Sequence, residues 1–388
     1  MARPEMASPA RRRVVITGIG TVNALTAGGA RAVADALDGR SGIAPLAARD
    51  ADDRGRLGAV IDDGALSSLI DAEAARRLSR ICRLAVAACR LAVADARVAG
   101  GPGLAIVVGS EHGDFRSSEA FAESYLRRGP AGLSPMIFPN TVMNTMASVA
   151  AIAIGARAPS VTINQATVVG DLAVARGAAL VARGDAEAAV AGGVDEISDL
   201  VHRQLAGLGA LSPMRVAGDE GCQPFASDHN GPVLGEGATF LVLEALDGAQ
   251  RRGARIIAEI AEAAWGNVPI RPHRASAARV DDRSPVARLL RPPAGAGPRF
   301  RRCYGAGNGD PAVDDWERAL LARDLGPAEP GLLPPISLAP QFGQHGGLGA
   351  LRVAAAALDV AAGVAPVLVH GIARGGCRTA LVLSPVSP

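Results

Sequence analysis

The chain has 388 residues, of which 49% are hydrophobic, 20% are charged and only 3% are aromatic. This length and composition are typical of a globular protein with a large aliphatic core, and they exclude a disordered chain. The 40 basic residues are all arginine, and 38 acidic residues balance them to a formal charge of +2. This balance excludes an extended nucleic-acid or anionic-membrane surface, and the absence of lysine excludes a lysine Schiff base.

The N-terminal part predicts a disordered tail over residues 1–12 and then the first strand over 13–19, which is rich in β-branched residues. The tail is basic but does not lead into the apolar run and cleavage site of a signal peptide. No stretch of the chain approaches about 18 uninterrupted apolar residues. We therefore expect a cytoplasmic protein with no membrane contact. A helix follows over 29–37, with Gly39 placed for a left-handed cap.

Strands and helices then alternate, which is the pattern of a parallel sheet. A sharp turn separates the strand at 160–163 from the helix at 171–183. A Pro- and Arg-rich segment, 269–298, is predicted to be a surface excursion without regular structure. The remaining predicted elements are helices at 78–98, 148–155, 316–323 and 350–362, strands at 104–108, 188–191 and 300–305, a glycine loop at 343–349 and a hairpin at 367–383.

Cysteine and histidine patterns give no sign of a disulfide framework or a metal site. The five cysteines are scattered without CxxC spacing, and the six histidines form no HxxxH or HExxH pattern. We expect reduced thiols, no metal and no cofactor. The string Gly109-Ser110-Glu111-His112 lacks the GxSxG context of a hydrolase and is interpreted as a turn at the end of a strand.

Seven strings, all in the same order, resemble β-ketoacyl-acyl-carrier-protein synthases of the thiolase superfamily. The resemblance covers residues 13–265 well and the remainder in fragments. The strings are VVITGIG (14–20), LDGRSG (37–42), SPMIFPNTVMN (134–144), PSVTINQATVVG (159–170), RGDAEAAVAGG (183–193), QPFASDHNGPVLGEG (223–237) and RGARIIA (252–258).

The resemblance implies an α/β fold with duplicated thiolase-like halves in a five-layer α-β-α-β-α sandwich, paired as a dimer. On this basis residues 13–265 form the N-terminal ketosynthase-like half, and 266–298 form the surface excursion and seam. Residues 299–388 form a C-terminal half that is short for the family.

The family's condensation chemistry uses a cysteine at the tip of a strand-to-helix turn and two histidines. The resemblance places Thr167 at the cysteine position, and Ala306 and Gln344 at the two histidine positions. The family's lysine corresponds to Ala339. The loop that carries a gate phenylalanine in the family is replaced by Ile372, Ala373, Arg374, Gly375 and Gly376. No catalytic residue is therefore expected, and His345, next to Gln344, is the one residual candidate.

These departures lead to the hypothesis of a chain-length-factor type of subunit, which pairs with a catalytic ketosynthase and contacts acyl carrier protein through that complex. Such subunits often carry glutamine at the cysteine position, whereas Thr167 stands here. The pairing would place residues of this chain in the wall of the partner's acyl tunnel in type II polyketide, polyene or fatty-acid-like biosynthesis. The residues predicted to line the tunnel or interface are Met136, Phe138, Met143, Met146 and Gln165.

Two alternatives remain open from the sequence. The first is an enzyme, an acyltransferase or decarboxylase that acts on carrier-bound or coenzyme A thioesters through Thr167 or His345. The second is a homodimeric scaffold that binds acyl carrier protein without turnover. A 1:1 complex with a neighbouring ketosynthase would support the heterodimer. A stable homodimer that ignores this partner would support the scaffold.

Overall fold

The computed structural model describes residues 11–47, 55–214, 219–268, 284–292, 299–326 and 330–387, so that most of the predicted tail lies outside the described residues. The strands are β1 Val14–Asn23, β2 Ala27–Gly28, β3 Ala44–Pro45, β4 Leu57–Gly58, β5 Leu104–Ser110, β6 Ser160–Asn164, β7 Ala188–Asp195, β8 Gly237–Ala245, β9 Ala258–Asn267, β10 Arg302–Tyr304, β11 Val367–Ile372 and β12 Cys377–Ser384. The helices are α1 Ala30–Ala36, α2 Asp63–Ser68, α3 Ala72–Arg77, α4 Arg80–Ala96, α5 Phe115–Arg128, α6 Thr145–Ile154, α7 Val169–Arg183, α8 Asp199–Gly207, α9 Leu246–Arg251, α10 Pro285–Leu290, α11 Pro311–Leu325, α12 Ala339–Phe342 and α13 Gly347–Ala361. Short 3-10 turns at Gly129–Gly132 and Phe138–Thr141 lie between α5 and α6.

Ten of the described strands join into one hydrogen-bonded sheet, in the order β10-β11-β12-β9-β1-β8-β7-β5-β6, with β2 paired to β1. The strands β5, β6 and β7 are parallel to one another, and β8 runs antiparallel to β7. The two halves meet where β1 pairs with β9 over the short stretch Val14 to Ile16. The predicted boundary at 265 falls inside β9, which pairs along most of its length with β12 of the second half.

The alternation of side chains along the strands separates a central layer from two outer layers. In β7, Ala189 and Ala191 face the central layer, whereas Val190 faces the outer layer. The same alternation in β11 sends Val369 inward and Leu368 outward. Helices α7 and α13 fill the central layer, α4 and α6 cover the first half, and α10 and α11 cover the second. The predicted five-layer thiolase-like fold is thus confirmed.

Glycine allows the two central helices to touch at their N-termini. A Cβ atom on Gly170 would lie 2.6 Å from the carbonyl oxygen of Gly346 and 2.7 Å from the amide nitrogen of Ala350. Any larger residue would push α7 away from α13. This contact brings the turn before α7 beside the glycine loop before α13, and the candidate site lies at this end of the central layer.

The segment predicted as a surface excursion is described only in part, because 269–283 and 293–298 lie outside the described residues. The piece between them is not a surface loop. It forms α10, whose Val286, Ala287 and Leu290 are buried against β9 and β12. Apolar residues at helical spacing explain this burial. Within the described residues, no helix is long and apolar enough to cross a bilayer.

Candidate functional site

Thr167 lies at the tip of the turn between β6 and α7, where the sequence placed it. Its φ angle is +59°, in the left-handed region that β-branched residues avoid. Its hydroxyl lies 3.5 Å from the carbonyl oxygen of Ile372 and donates to it. A carbonyl oxygen cannot act as a general base, so this contact does not activate the hydroxyl.

The carboxyl group of Glu111 accepts a hydrogen bond from the main-chain N–H of Thr167. Glu111 follows β5, and β5 pairs in parallel with β6 so that Ser110 stands opposite Asn164. Because of this register, the residues after both strands lie side by side. The sequence around Glu111 predicts only a turn at the end of a strand and gives no sign of this contact.

Asp195, at the end of β7, holds this loop and the glycine loop together. Its carboxylate accepts from the hydroxyl of Ser110 at 2.6 Å and from the N–H of Gly346 at 2.7 Å. It also accepts from the N–H groups of Glu111 and His112 at 3.1 and 3.2 Å. One carboxylate therefore fixes the position of Glu111 relative to α13.

Burial changes the protonation of the groups around Thr167. Burial, and then the negative charge of Asp195, raise the pKa of the Glu111 carboxyl to about 8. Burial lowers the pKa of the His345 imidazole, although the bond to the Gly343 carbonyl opposes this. At neutral pH the site therefore contains a neutral imidazole and a carboxyl group that holds its proton more tightly than in water.

Gln344 and His345 are both buried, and neither forms a hydrogen bond with Thr167 in the part of the chain described. The main chain of Gln344 is fixed by bonds to Val233 and Gly235. The Nδ1 atom of His345 lies 3.1 Å from the carbonyl oxygen of Gly343 and donates to it. His345 is thus held by local backbone through Nδ1, and its Nε2 atom is buried without a hydrogen-bond partner among the described residues.

The space beside these residues is small. A cavity of about 10 Å³ is lined by Glu111, Asp195, Gln344 and His345, among others. This volume is about that needed for one water molecule. The cavity cannot hold an acyl chain.

Ala306, at the position of the family's first histidine, is surrounded by apolar side chains. It packs in a buried cluster with Trp316 and Ile372. Its N–H and that of Gly307 donate to the carboxylate of Glu317, at 2.9 and 2.7 Å. The loop is therefore rigid, but it presents a methyl group where the family has an imidazole.

A buried polar chain that the sequence did not predict braces this loop from below. His370 lies 2.6 Å from Glu317 through Nδ1, and its Nε2 accepts from Arg378 at 2.9 Å. Arg378 in turn donates to Asp324 at 2.9 Å. Burial lowers the pKa of His370, which fits a neutral ring that donates through one nitrogen and accepts through the other. Among the described residues, no group of three or more His, Cys, Asp or Glu side chains is arranged to hold a metal ion.

The predicted gate loop is the tight turn between β11 and β12. Ile372 is buried, whereas Arg374 and Gly375 are exposed and Gly376 is buried again. Arg374 forms an ion pair with Asp310, the N-cap residue of α11. A charged side chain is thus paired with the N-terminus of α11 at the turn that was predicted to replace the gate loop.

The residues predicted to line a tunnel or interface do not share one environment. Met136 and Phe138 are 85% and 56% exposed. Met143 and Gln165 are half-buried. Met146 is a core residue that is 1% exposed and packs between α4 and α6, because α6 turns this side chain inward. Met146 is therefore not available to a partner.

The fold is that of the thiolase-like ketosynthases. A family model described as the β-ketoacyl synthase N-terminal domain matches residues 11–249. The chain therefore belongs to the β-ketoacyl synthase family.

Known relatives and solved structures agree with this assignment. The chain is 29% identical over 261 residues to 3-oxoacyl-[acyl-carrier-protein] synthase 2 of Synechocystis sp., a match that covers 66% of this chain and 63% of the relative. It is 30% identical over 258 residues to the synthase of the same name from Vibrio harveyi, with 64% and 62% covered. The chain thus spans less than two thirds of the length of these curated relatives.

Among solved structures, the ishigamide ketosynthase/chain length factor is similar over 97% of this chain and 100% of that chain, with a TM-score of 0.82 and 25% identity. A β-ketoacyl synthase from Burkholderia phymatum STM815 covers the same shares with a TM-score of 0.81 and 24% identity. The second likeness concerns the fold alone.

Proposed function

We propose that this chain is the non-condensing, chain-length-factor type of subunit of a heterodimeric ketosynthase, which pairs with a catalytic ketosynthase and shapes its acyl tunnel. The complex serves type II polyketide, polyene or fatty-acid-like chain building on an acyl carrier protein. One observation carries the proposal. The positions of the family's cysteine and two histidines hold a hydroxyl, a methyl group and an amide, at Thr167, Ala306 and Gln344.

The contacts of these residues support a role without chemistry. A threonine hydroxyl attacks a thioester only with a general base in reach. The Thr167 hydroxyl faces the carbonyl of Ile372, and His345 is bonded to Gly343. These contacts also weigh against an acyltransferase or decarboxylase that uses Thr167 or His345.

The outer surface supports a role in pairing. Six apolar residues in the last turns of α5 and in the segment between α5 and α6 are exposed, and we call them the apolar patch. The residues of the apolar patch are Tyr125, Leu126, Leu133, Met136, Phe138 and Val142. Leu126 and Met136 are 82% and 85% exposed, and such a concentration of large apolar side chains is typical of a protein interface.

The strand β6 adds a sheet edge that no other described strand covers. It is the last strand of the described sheet path, and its residues are exposed or half-buried along its length. An open edge is a template for pairing with another strand. We propose that β6 and the apolar patch together receive the similar surface of a ketosynthase across a pseudo-twofold axis. The likeness to a ketosynthase/chain length factor at 25% identity supports this choice of partner.

Co-expression with a ketosynthase that has an intact cysteine and both histidines tests the proposal. We expect a 1:1 complex by light scattering, and condensation on acyl carrier protein only when both chains are present. A stable homodimer of this chain that ignores the ketosynthase would contradict the proposal and favour the scaffold alternative. Turnover by this chain alone would favour the enzyme alternative.

A further inference from the structure

The contact between Glu111 and Thr167 lies where a substrate carbonyl would be expected to bind. In a strand-to-helix turn of this kind, a main-chain N–H at the tip stabilises the oxygen of a thioester as charge develops on it. Here the N–H of Thr167 already donates to the Glu111 carboxyl group. The donor and the space in front of it are both occupied by the protein's own side chain.

The structure holds Glu111 firmly in this place. The side-chain amide of Asn164 donates to the carbonyl oxygens of Ser110 and Glu111, at 2.9 and 2.7 Å. Asp195 accepts from the N–H of Glu111 on the other side. The Glu111 side chain is only 6% exposed. The backbone that carries the carboxyl group is therefore fixed by two neighbouring strands.

We propose that Glu111 is a built-in plug, which occupies the main-chain donor of Thr167 and excludes a thioester carbonyl from the turn. This inference rests on the proposed non-condensing role and deepens it, because it assigns the closure of the pocket to one side chain. Loss of the nucleophile alone would leave a turn that still binds acyl groups. With Glu111 in place, the N–H of Thr167 is already bonded and cannot donate to an entering carbonyl oxygen. That oxygen would instead face the carboxyl oxygen of Glu111.

The test uses the isolated full chain and a thiol introduced at position 167. In a Thr167→Cys variant, the thiol attacks the carbonyl carbon of S-acetyl-N-acetylcysteamine and the bond from that carbon to the original sulfur breaks. N-acetylcysteamine leaves with the proton of the attacking thiol, and the protein gains one acetyl group. Intact-protein mass spectrometry gives the rate, and the unmodified chain gives the background from its five native cysteines.

Two changes at Glu111 are then compared in the Thr167→Cys background. Glu111→Gly removes the side chain and frees the donor, and we expect acetylation at position 167 to rise by about 10- to 100-fold, the range for one such donor. Glu111→Gln keeps an acceptor oxygen of the same reach without a charge, and we expect a rate within about threefold of that with Glu111. Glu220→Gly is the matched control, since it removes another loop glutamate, whose carboxylate pairs with Arg56, and should leave the rate unchanged.

Two results would overturn the plug. The first is no increase with Glu111→Gly in a variant whose circular dichroism and unfolding transition match those of the parent. The second is an equal increase with Glu111→Gln, which would show that a side-chain oxygen on the Thr167 donor is not what excludes the thioester. Since the measurement needs no partner, its outcome is independent of whether the chain pairs with a ketosynthase.

Discussion

The buried residues next to Thr167 and the exposed residues of the apolar patch form two contrasting regions of the molecule. In the first region, Glu111, Gln344 and His345 line a cavity of only about 10 Å³. At the patch, large apolar side chains such as Leu126 and Met136 are left in water. A condensing enzyme keeps its pocket open for the substrate. The contrast supports the proposal that the surface of this chain is adapted to pairing with another protein.

The largest expected effect comes from changing the apolar patch. A Leu126→Asp, Met136→Asp double variant places two charges in the proposed interface, and burying each of them without a partner is costly. We expect the affinity for the ketosynthase to fall by more than about 100-fold, equivalent to about 3 kcal/mol. Analytical ultracentrifugation of the mixed subunits measures this loss.

Leu208→Asp is the control for that experiment. Leu208 is 79% exposed but lies at the end of α8, outside the apolar patch. We expect the Leu208→Asp chain to bind the ketosynthase as tightly as the unchanged chain. Equal binding by the patch variant and the control would show that the apolar patch does not form the interface with the ketosynthase.

The next effect concerns the interior. The pKa of Glu111 is raised from 4.5 to about 8 in the folded chain, so the folded state binds the proton more tightly than the unfolded state. Stability from this group is present below pH 4.5 and is lost as the pH rises towards 8, by up to about 1.4 kcal/mol per pH unit. Glu111→Gln removes this dependence. Urea unfolding between pH 5 and pH 8 should therefore give a stability difference that changes steadily in favour of Glu111→Gln.

Glu123→Gln serves as the reference, because Glu123 is exposed on α5 and pairs with Arg127. Its stability difference from the unchanged chain measures the effect of removing one exposed glutamate charge, and the result for Glu111→Gln is compared with it. Parallel curves for the unchanged chain and Glu111→Gln would mean that Glu111 titrates normally and that the pocket is wetter than its geometry indicates.

A smaller effect is expected on the product of the complex. Phe138 is 56% exposed, and its ring centroid lies 5.9 Å from that of Phe121. If Phe138 forms part of the tunnel wall, Phe138→Ala enlarges the tunnel and should shift the main product to a longer chain. Mass spectrometry of the released chains measures the shift. Val60→Ala, at an exposed apolar site outside the patch, should leave the distribution unchanged, and an unchanged distribution with Phe138→Ala would place the tunnel elsewhere.

The smallest effect concerns backbone strain at Thr167. Glycine tolerates its φ angle of +59°, whereas a β-branched residue does not. Glycine also loses more backbone entropy on folding than threonine does, which offsets part of the relieved strain. We expect Thr167→Gly to stabilise the chain by about 0.5–1 kcal/mol in urea unfolding. Thr162→Gly, in β6, should destabilise it by a similar amount, because strands disfavour glycine. A destabilised Thr167→Gly chain would mean that the threonine side chain contributes more than its strain costs.

The sequence was sufficient to predict the fold and the position of Thr167 in its turn. Strand and helix periodicity located β5, β7, α4 and α7 to within a few residues, and family strings placed Thr167 at the tip of its turn. The residue type at a given position of a family string can be read from an alignment, without any knowledge of three-dimensional contacts. Strand ends were less well predicted: β1 continues to Asn23, beyond the predicted end at 19, because its pairing with β8 continues there.

The rest of the site depends on contacts between distant parts of the chain. Glu111 and Thr167 are brought together only by the register of β5 with β6, and nothing in the string around Glu111 indicates that contact. The chain from Glu317 through His370 to Arg378 likewise joins residues of different elements. Met146 was placed at an interface because it is a flexible apolar residue, but apolar character alone does not distinguish the inner from the outer side of α6.

The most direct test of the central claim measures condensation by the reconstituted pair with Thr167→Ala in this chain. The account predicts a rate and product within about twofold of the unchanged pair, and no product when this chain is omitted. A loss of condensation on the scale of removing a nucleophile, about 10³-fold or more, would contradict it, because Thr167 would then take part in the chemistry.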